Sequence, residues 1–254
     1  MDKTRRMLIV GLAALTVGTT ACGGSADKPA DHEGQQNGSA QDRNKPNPAK
    51  TKAVPTGEGE GSAGDASIQV FVNKRYELAE DYAPTDLVDV EVPTVLRNPE
   101  VNQLREEAAE ALKLMFGKAG EAGYKLYARS GYRSYKTQEA LFDRYAAREG
   151  ETAASRFSAR AGQSEHQTGL AMDITSDSVD LQLSENFGET PEGRWVSGNA
   201  HNFGFIIRYP KDKEEITGYM YEPWHLRYLG ADMAAKVYES GLTLEEYRNA
   251  GDAS

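Results

Sequence analysis

The sequence predicts an α+β domain built on a small, mainly antiparallel sheet flanked by helices. Three observations lead to that class. Strand-like alternation comes in short runs bounded by glycine and proline. Capped helical segments fall between those runs without a regular strand-helix-strand repeat, and a long polar N-terminal stretch leaves only residues 67–254 to form a core.

The N-terminus begins with Lys3, Arg5 and Arg6, followed by an apolar run from Met7 to Gly18 and the small residues Thr19, Thr20 and Ala21. A spanning helix needs about 20 apolar residues, so residues 1–21 read as a secretory signal peptide. Cys22 is the only cysteine of the 254 residues, which excludes an intramolecular disulfide. The stretch Thr19-Thr20-Ala21-Cys22-Gly23-Gly24 resembles a bacterial lipobox, with Thr19 where that pattern prefers an aliphatic residue. That resemblance implies a lipid anchor on Cys22 and an extracytoplasmic lipoprotein; an ordinary cleaved secretion signal is the alternative.

Residues 22–66 hold no Phe, Trp or Tyr, and Val54 is their one large aliphatic residue. Such a segment buries too little apolar surface to offset its ordering entropy, so a disordered linker is expected. The net charge of −10, without a basic stripe, argues against a nucleic-acid partner, because phosphate neutralisation needs clustered Lys and Arg.

From Ile68 the order of elements follows from local signals. Ile68, Val70 and Val72 alternate with Gln69, Phe71 and Asn73, which predicts an early strand or extended arm, and Leu87 to Val92 offers another alternating run. Asn98-Pro99-Glu100 reads as a helix start, with Asn as N-cap and Pro at the first helical position. Val101, Leu104, Ala108, Leu112 and Met115 then mark one face of a helix to about Ala119. Tyr124, Leu126 and Ala128 alternate into a strand, and Ser134 caps a helix over 135–148. A short helix is expected within 151–159, a loop with a helical turn near 183–187, and a helix over 195–202. Gly204 to Pro210 reads as a strand stopped by proline, and 211–215 as a solvated turn. Two short strand segments are expected on either side of Pro223, then a helix ended by Gly241, then a last helix capped by Thr243 and Glu246.

The chemistry concentrates in two places. Ser164 to Ile174 puts His166 and Asp173 seven residues apart, and Glu222-Pro223-Trp224-His225 supplies a second carboxylate and a second imidazole. A catalytic zinc commonly takes three protein ligands and keeps a fourth position for water, so His166, Asp173 and His225 are candidate ligands. Glu222 is placed to serve as the base beside such a water. Arg133, at a strand-to-helix junction, either clamps a substrate carboxylate or forms a surface ion pair. His32 falls in the linker, and His201 reads as a helix-end residue, so neither is a candidate ligand.

Ser130 to Ser134 with Gln138, then SEHQTGLAMDI, NAHNFGFIIRYP and TGYMYEPWHLRYLG, together resemble the VanY-type D-alanyl-D-alanine carboxypeptidases over roughly 70–241. These are zinc enzymes of bacterial cell-wall metabolism whose core fold is shared with lysostaphin and hedgehog domains. The resemblance implies Zn2+ on His166, Asp173 and His225, Glu222 as general base, and Arg133, Gln138 and Ser164 as holders of the terminal D-alanine and its neighbours. Ala161 departs from the family, which often has Pro there. The expected activity is removal of the C-terminal D-alanine from peptidoglycan stem peptides. An L,D-carboxypeptidase on tetrapeptide stems and a non-catalytic zinc-containing wall-binding module are the alternatives, and Glu222 argues against the latter.

Overall fold

A computed structural model describes residues 51–52 and 67–251. The signal peptide, Cys22, His32 and nearly all of the expected linker lie outside the described residues. The exception is β1 (Thr51–Lys52), which pairs in parallel with β2 (Tyr76–Glu77) and so departs from the linker expectation at that point.

Two further short strands, β3 (Leu87–Asp89) and β4 (Gln103–Arg105), form an antiparallel pair. The main sheet has four strands, β5 (Tyr127–Ser130), β6 (Ala171–Thr175), β7 (Phe205–Tyr209) and β8 (Glu222–Tyr228), in the order β5-β6-β8-β7. Every neighbouring pair in it is antiparallel, as the short bounded runs predict. The helices are α1 (Glu106–Glu121), α2 (Tyr135–Glu149), α3 (Glu151–Ala154), α4 (Pro191–Asn199), α5 (Glu214–Thr217), α6 (Ala231–Ser240) and α7 (Leu244–Gly251). No described helix is long and apolar enough to cross a membrane.

The largest core cluster joins the α1 stripe of Ala108, Leu112, Met115 and Ala119 to Met172, Ile174 and Leu226 of the central strands. A second cluster joins Ile206 to Ala234, Val237 and Leu244 of α6 and α7, with Phe71. All residues of β6 and β8 are therefore buried, polar ones included.

Several boundaries differ from the sequence reading. Of the two alternatives for 68–73, the strand does not form and the arm does, with Val70, Phe71 and Val72 buried. The helix expected from Asn98 begins only at Glu106. Asn98 Oδ1 caps a single 3₁₀ turn, Glu100–Asn102, and residues 103–105 are drawn into the pairing with β3. Glu100 instead serves the start of α2, accepting from Ser134 N at 2.7 Å and Thr137 Oγ1 at 2.9 Å. The turn expected at 211–215 ends in α5, and the helix expected at 151–159 shortens to α3.

Of the two segments expected around Pro223, residues 218–221 form no strand, and the other is extended backwards through Pro223 as β8. Proline cannot donate to a ladder, and it is tolerated because the register is irregular there. Ile207 pairs with Leu226 but Tyr209 pairs with Glu222, so β8 carries two extra residues in a bulge. The capping signals hold where they are local. Ser134 Oγ accepts from Thr137 N, and Thr243 with Glu246 forms a reciprocal capping box at 2.8 and 3.1 Å.

Candidate metal centre and active site

Strand register builds the site. Asp173 on β6 lies directly opposite His225 on β8, and Ser130 on β5 pairs with Asp173 from the other side. Opposed residues on an antiparallel pair point to the same face, so the carboxylate and the imidazole meet. His166 enters from the 3₁₀ turn Glu165–Thr168, whose start Ser164 caps by accepting from His166 N. Gly169 ends that turn in the left-handed conformation at φ 67°, which turns the chain into β6.

His166 Nε2 is 3.4 Å from Asp173 Oδ2, and His225 Nδ1 is 3.1 Å from Asp173 Oδ1. One ligand atom from each of the three residues falls within 4.8 Å of the others, and all three residues are buried. Tetrahedral zinc with bonds near 2.0–2.2 Å holds its ligand atoms about 3.3–3.5 Å apart, so the set fits that ion. Asp173 Oδ1 is buried without a hydrogen bond of good geometry, despite the proximity of His225, as expected of an atom aimed at a cation.

Hydrogen bonds on the far side of each imidazole set its tautomer. His166 Nδ1 donates to Gly131 O at 2.8 Å, which leaves Nε2 with its lone pair toward Asp173. Burial, the largest influence, pushes the His166 pKa down and keeps the ring neutral. His225 Nε2 lies 3.4 Å from Glu165 Oε2, leaving Nδ1 for the centre. Burial opposes a charge on His225, yet the carboxylates of Asp173 and Glu165 beside it lift its pKa to about 9. A divalent cation held among these atoms would take the place of that proton. Burial also penalises the Asp173 carboxylate, but His166 beside it holds the group far below the usual range.

Glu222 is brought into the site by the β8 bulge, with Oε2 3.8 Å from His225 Nδ1. Burial pushes its pKa up to about 8, against the attraction of His225. Arg133 lies at the end of β5 with its guanidinium held by protein partners: Nη1 donates to Gln138 Oε1 at 2.6 Å and Nη2 to Ser130 Oγ at 2.8 Å. Each terminal nitrogen keeps one further N–H. Among the described residues Arg133 forms no surface ion pair. Gln138, expected beside Arg133 in the substrate-holding set, is placed against its guanidinium. It is fully buried, its Nε2 donates to Ala159 O at 2.5 Å, and it supports Arg133 from behind.

A cleft of about 420 Å³ is lined by Arg133, Ser164, His166, Asp173, Glu222 and His225, with Tyr145, Leu183 and Trp224 among its other walls. Tyr219 also lines it, and its hydroxyl is buried without a hydrogen-bond partner among the described residues. His201 lies apart, its ring stacked on Tyr238 at 3.7 Å.

Sequence reasoning missed Glu165, Arg208 and Arg227. Glu165 is buried, and its Oε1 accepts from Arg208 Nε at 2.8 Å and Arg227 Nη1 at 2.9 Å. Despite full burial its carboxyl is held far below the usual range by the two guanidinium groups. The signal was present: Arg208 and Arg227 each stand inside an apolar strand run, and a buried arginine demands a carboxylate.

Comparisons with known proteins point to one family. The family match, to VanY, D-alanyl-D-alanine carboxypeptidase, spans residues 101–231. The putative carboxypeptidase YodJ of Bacillus subtilis is 50% identical over 182 residues, covering 71% of this chain and 67% of its own. A structure of the LdcB LD-carboxypeptidase, described as revealing the basis of peptidoglycan recognition, is 50% identical with a TM-score of 0.69, over 72% of this chain and 86% of that one. A variant of the vancomycin-resistance D,D-pentapeptidase VanY in complex with Zn(II) is 35% identical with a TM-score of 0.57, over 71% and 98%. The chain belongs to the VanY D-alanyl-D-alanine carboxypeptidase family.

Proposed function

We propose that this protein is a zinc-dependent carboxypeptidase that releases the C-terminal D-alanine of peptidoglycan stem peptides. One observation carries the reading: the buried His166, Asp173 and His225 converge in the same cleft as a buried carboxylate, Glu222, and an anchored guanidinium, Arg133. His166 Nε2, Asp173 and His225 Nδ1 would hold Zn2+, which supplies Lewis acidity and a water of lowered pKa.

The chain's own residues do the rest. Glu222, in the same cleft as the three ligands, takes the proton from the attacking water and returns it to the departing amine of D-alanine. Arg133 donates its free N–H groups to an oxygen of the terminal D-alanyl unit, in an orientation fixed by Gln138 and Ser130. Tyr219, neutral because burial pushes its pKa up, offers its hydroxyl to the bound peptide. Ser164 lines the cleft beside His166. Zinc analysis of the purified protein together with D-alanine release from pentapeptide and tetrapeptide stems tests the proposal. About one zinc per chain and chelator-sensitive release are expected; metal-free activity would overturn it.

The pentapeptide, ending in D-alanyl-D-alanine, is the substrate the family points to. The 50% identity and higher TM-score with the LdcB LD-carboxypeptidase favour a second reading, in which the tetrapeptide is preferred. The two substrates in the same assay separate them. In either case the proposal places the enzyme outside the cytoplasm, held at the membrane by a lipid on Cys22 and reaching the wall through the segment that follows.

A further inference from the structure

We propose that the metal centre extends through a buried charge relay into the C-terminal helix, so that Glu245 on α7 is a positioning residue for the metal ligand His225. The inference rests on His225 being a ligand, as above. Every link is in the structure. His225 Nε2 lies 3.4 Å from Glu165 Oε2, and the other oxygen of Glu165 accepts from Arg208 Nε at 2.8 Å. Arg208 turns its remaining nitrogens away from the centre and donates Nη1 and Nη2 to the two oxygens of Glu245, at 2.8 and 2.6 Å. That is a bidentate fork with no exposure of the arginine, the arrangement that fixes a guanidinium plane most firmly.

The relay is closed at both ends. Asn73 Nδ2, on the buried N-terminal arm, donates to Glu245 Oε1 at 3.3 Å, and Arg227 donates to Glu165 Oε1 while its Nη2 reaches the carbonyls of Ile68 and Val70 on the same arm. Glu165 and Glu245 balance Arg208 and Arg227 charge for charge. Glu165 alone between two buried arginines would leave one positive charge uncompensated in a region of low dielectric, which costs several kcal/mol. Glu245 removes that imbalance. Glu245 and Asn73 both lie outside residues 101–231, the span of the family match, so the support of His225 draws on segments beyond it.

A ligand imidazole whose far nitrogen is held by a fixed carboxylate keeps its tautomer and ring angle, and loss of such a partner typically weakens metal affinity about 10- to 100-fold. Glu165→Gln tests the near link but strands two arginines in the interior, so Glu245→Gln, which keeps shape and one acceptor, is the decisive variant. The full-length protein is loaded with Co(II) as a spectroscopic probe, and zinc affinity is measured by competition with a chromophoric chelator. Glu246→Ala serves as the control, because it breaks the capping box of the same helix without touching the relay. Glu245→Gln is expected to weaken zinc binding several-fold and shift the Co(II) absorption, and Glu246→Ala to lower thermal stability with wild-type affinity and spectrum. A folded Glu245→Gln protein with wild-type affinity and spectrum overturns the relay, as does the same spectral shift in Glu246→Ala. Failure of the wild-type protein to bind zinc or Co(II) overturns instead the metal reading on which the relay rests.

Discussion

Replacing Gly131 by alanine tests whether the metal centre depends on a backbone carbonyl. Gly131 donates its N–H to Val101 O at 2.6 Å, and its own carbonyl accepts from the ligand His166 at 2.8 Å. A Cβ added here would lie 2.3 Å from Gln103 O, 2.8 Å from Met172 Cε and 3.1 Å from Val101 O. Ordinary contact begins near 3.5 Å, so relief demands a shift of about 1 Å. Gln103 O cannot simply retreat, because it already accepts from Tyr132 N at 2.7 Å. The displaced element is then residue 131 itself, and a shift of that size takes the His166 hydrogen bond beyond the range in which it orients the ring. Overpacking costs about 1–3 kcal/mol, and for a domain of this size each kcal/mol lowers Tm by roughly 2–4 °C. Loss of the bond that sets the His166 tautomer adds a fall in zinc affinity of about tenfold or more. Thermal unfolding of the chelator-treated protein gives the first quantity, and a zinc competition titration gives the second. A folded Gly131→Ala protein with wild-type zinc affinity refutes the argument.

Glu222→Gln should keep its zinc while turnover falls by about 10²- to 10⁴-fold, the usual range for a general base; metal analysis beside a D-alanine release assay checks both halves. Gln138→Leu removes the acceptor of Arg133 Nη1. A hydrogen bond to a charged group contributes about 1.5–3 kcal/mol, so kcat/KM should fall about 10- to 100-fold with zinc affinity unchanged, which steady-state kinetics and the competition titration will show. Tyr219→Phe deletes a buried hydroxyl that has no hydrogen-bond partner among the described residues, so stability should hold or rise while KM increases about 2- to 10-fold; an unchanged KM would remove Tyr219 from the substrate contacts. Cys22→Ala should move the protein from the membrane fraction to the soluble one on cell fractionation, and unchanged partitioning would rule out the lipid anchor.

Features legible in the sequence were those written within a few residues of one another. The Ser134 cap and the Thr243–Glu246 box were of this kind, as was the end of α6 at Gly241. The candidate ligands were readable because imidazoles and carboxylates stand at short spacing in strand-like runs, and the structure brings all three together. The misread helix start at Asn98 shows the limit. Its local signals are sound, but Gln103 to Arg105 gain more from pairing with β3 and from the Arg105 N–H bond to Gly169 O. Glu165 was overlooked for a related reason: beside His166 it looks like one acidic residue among many, and its role appears only where Arg208 and Arg227 arrive from strands more than forty residues away.

The sequence by itself determined the mixed fold class, the family and the candidate side chains for the chemistry, because composition, periodicity and motif order are properties of the chain. Tertiary structure alone decided how those side chains meet. Cross-strand register sets Asp173 opposite His225, and a bulge at Pro223 carries Glu222 to the same face. Burial makes Glu222 hold its proton more tightly and withdraws Gln138 behind Arg133. Each of these depends on distances between residues remote in sequence and on the exclusion of water, which no local pattern encodes.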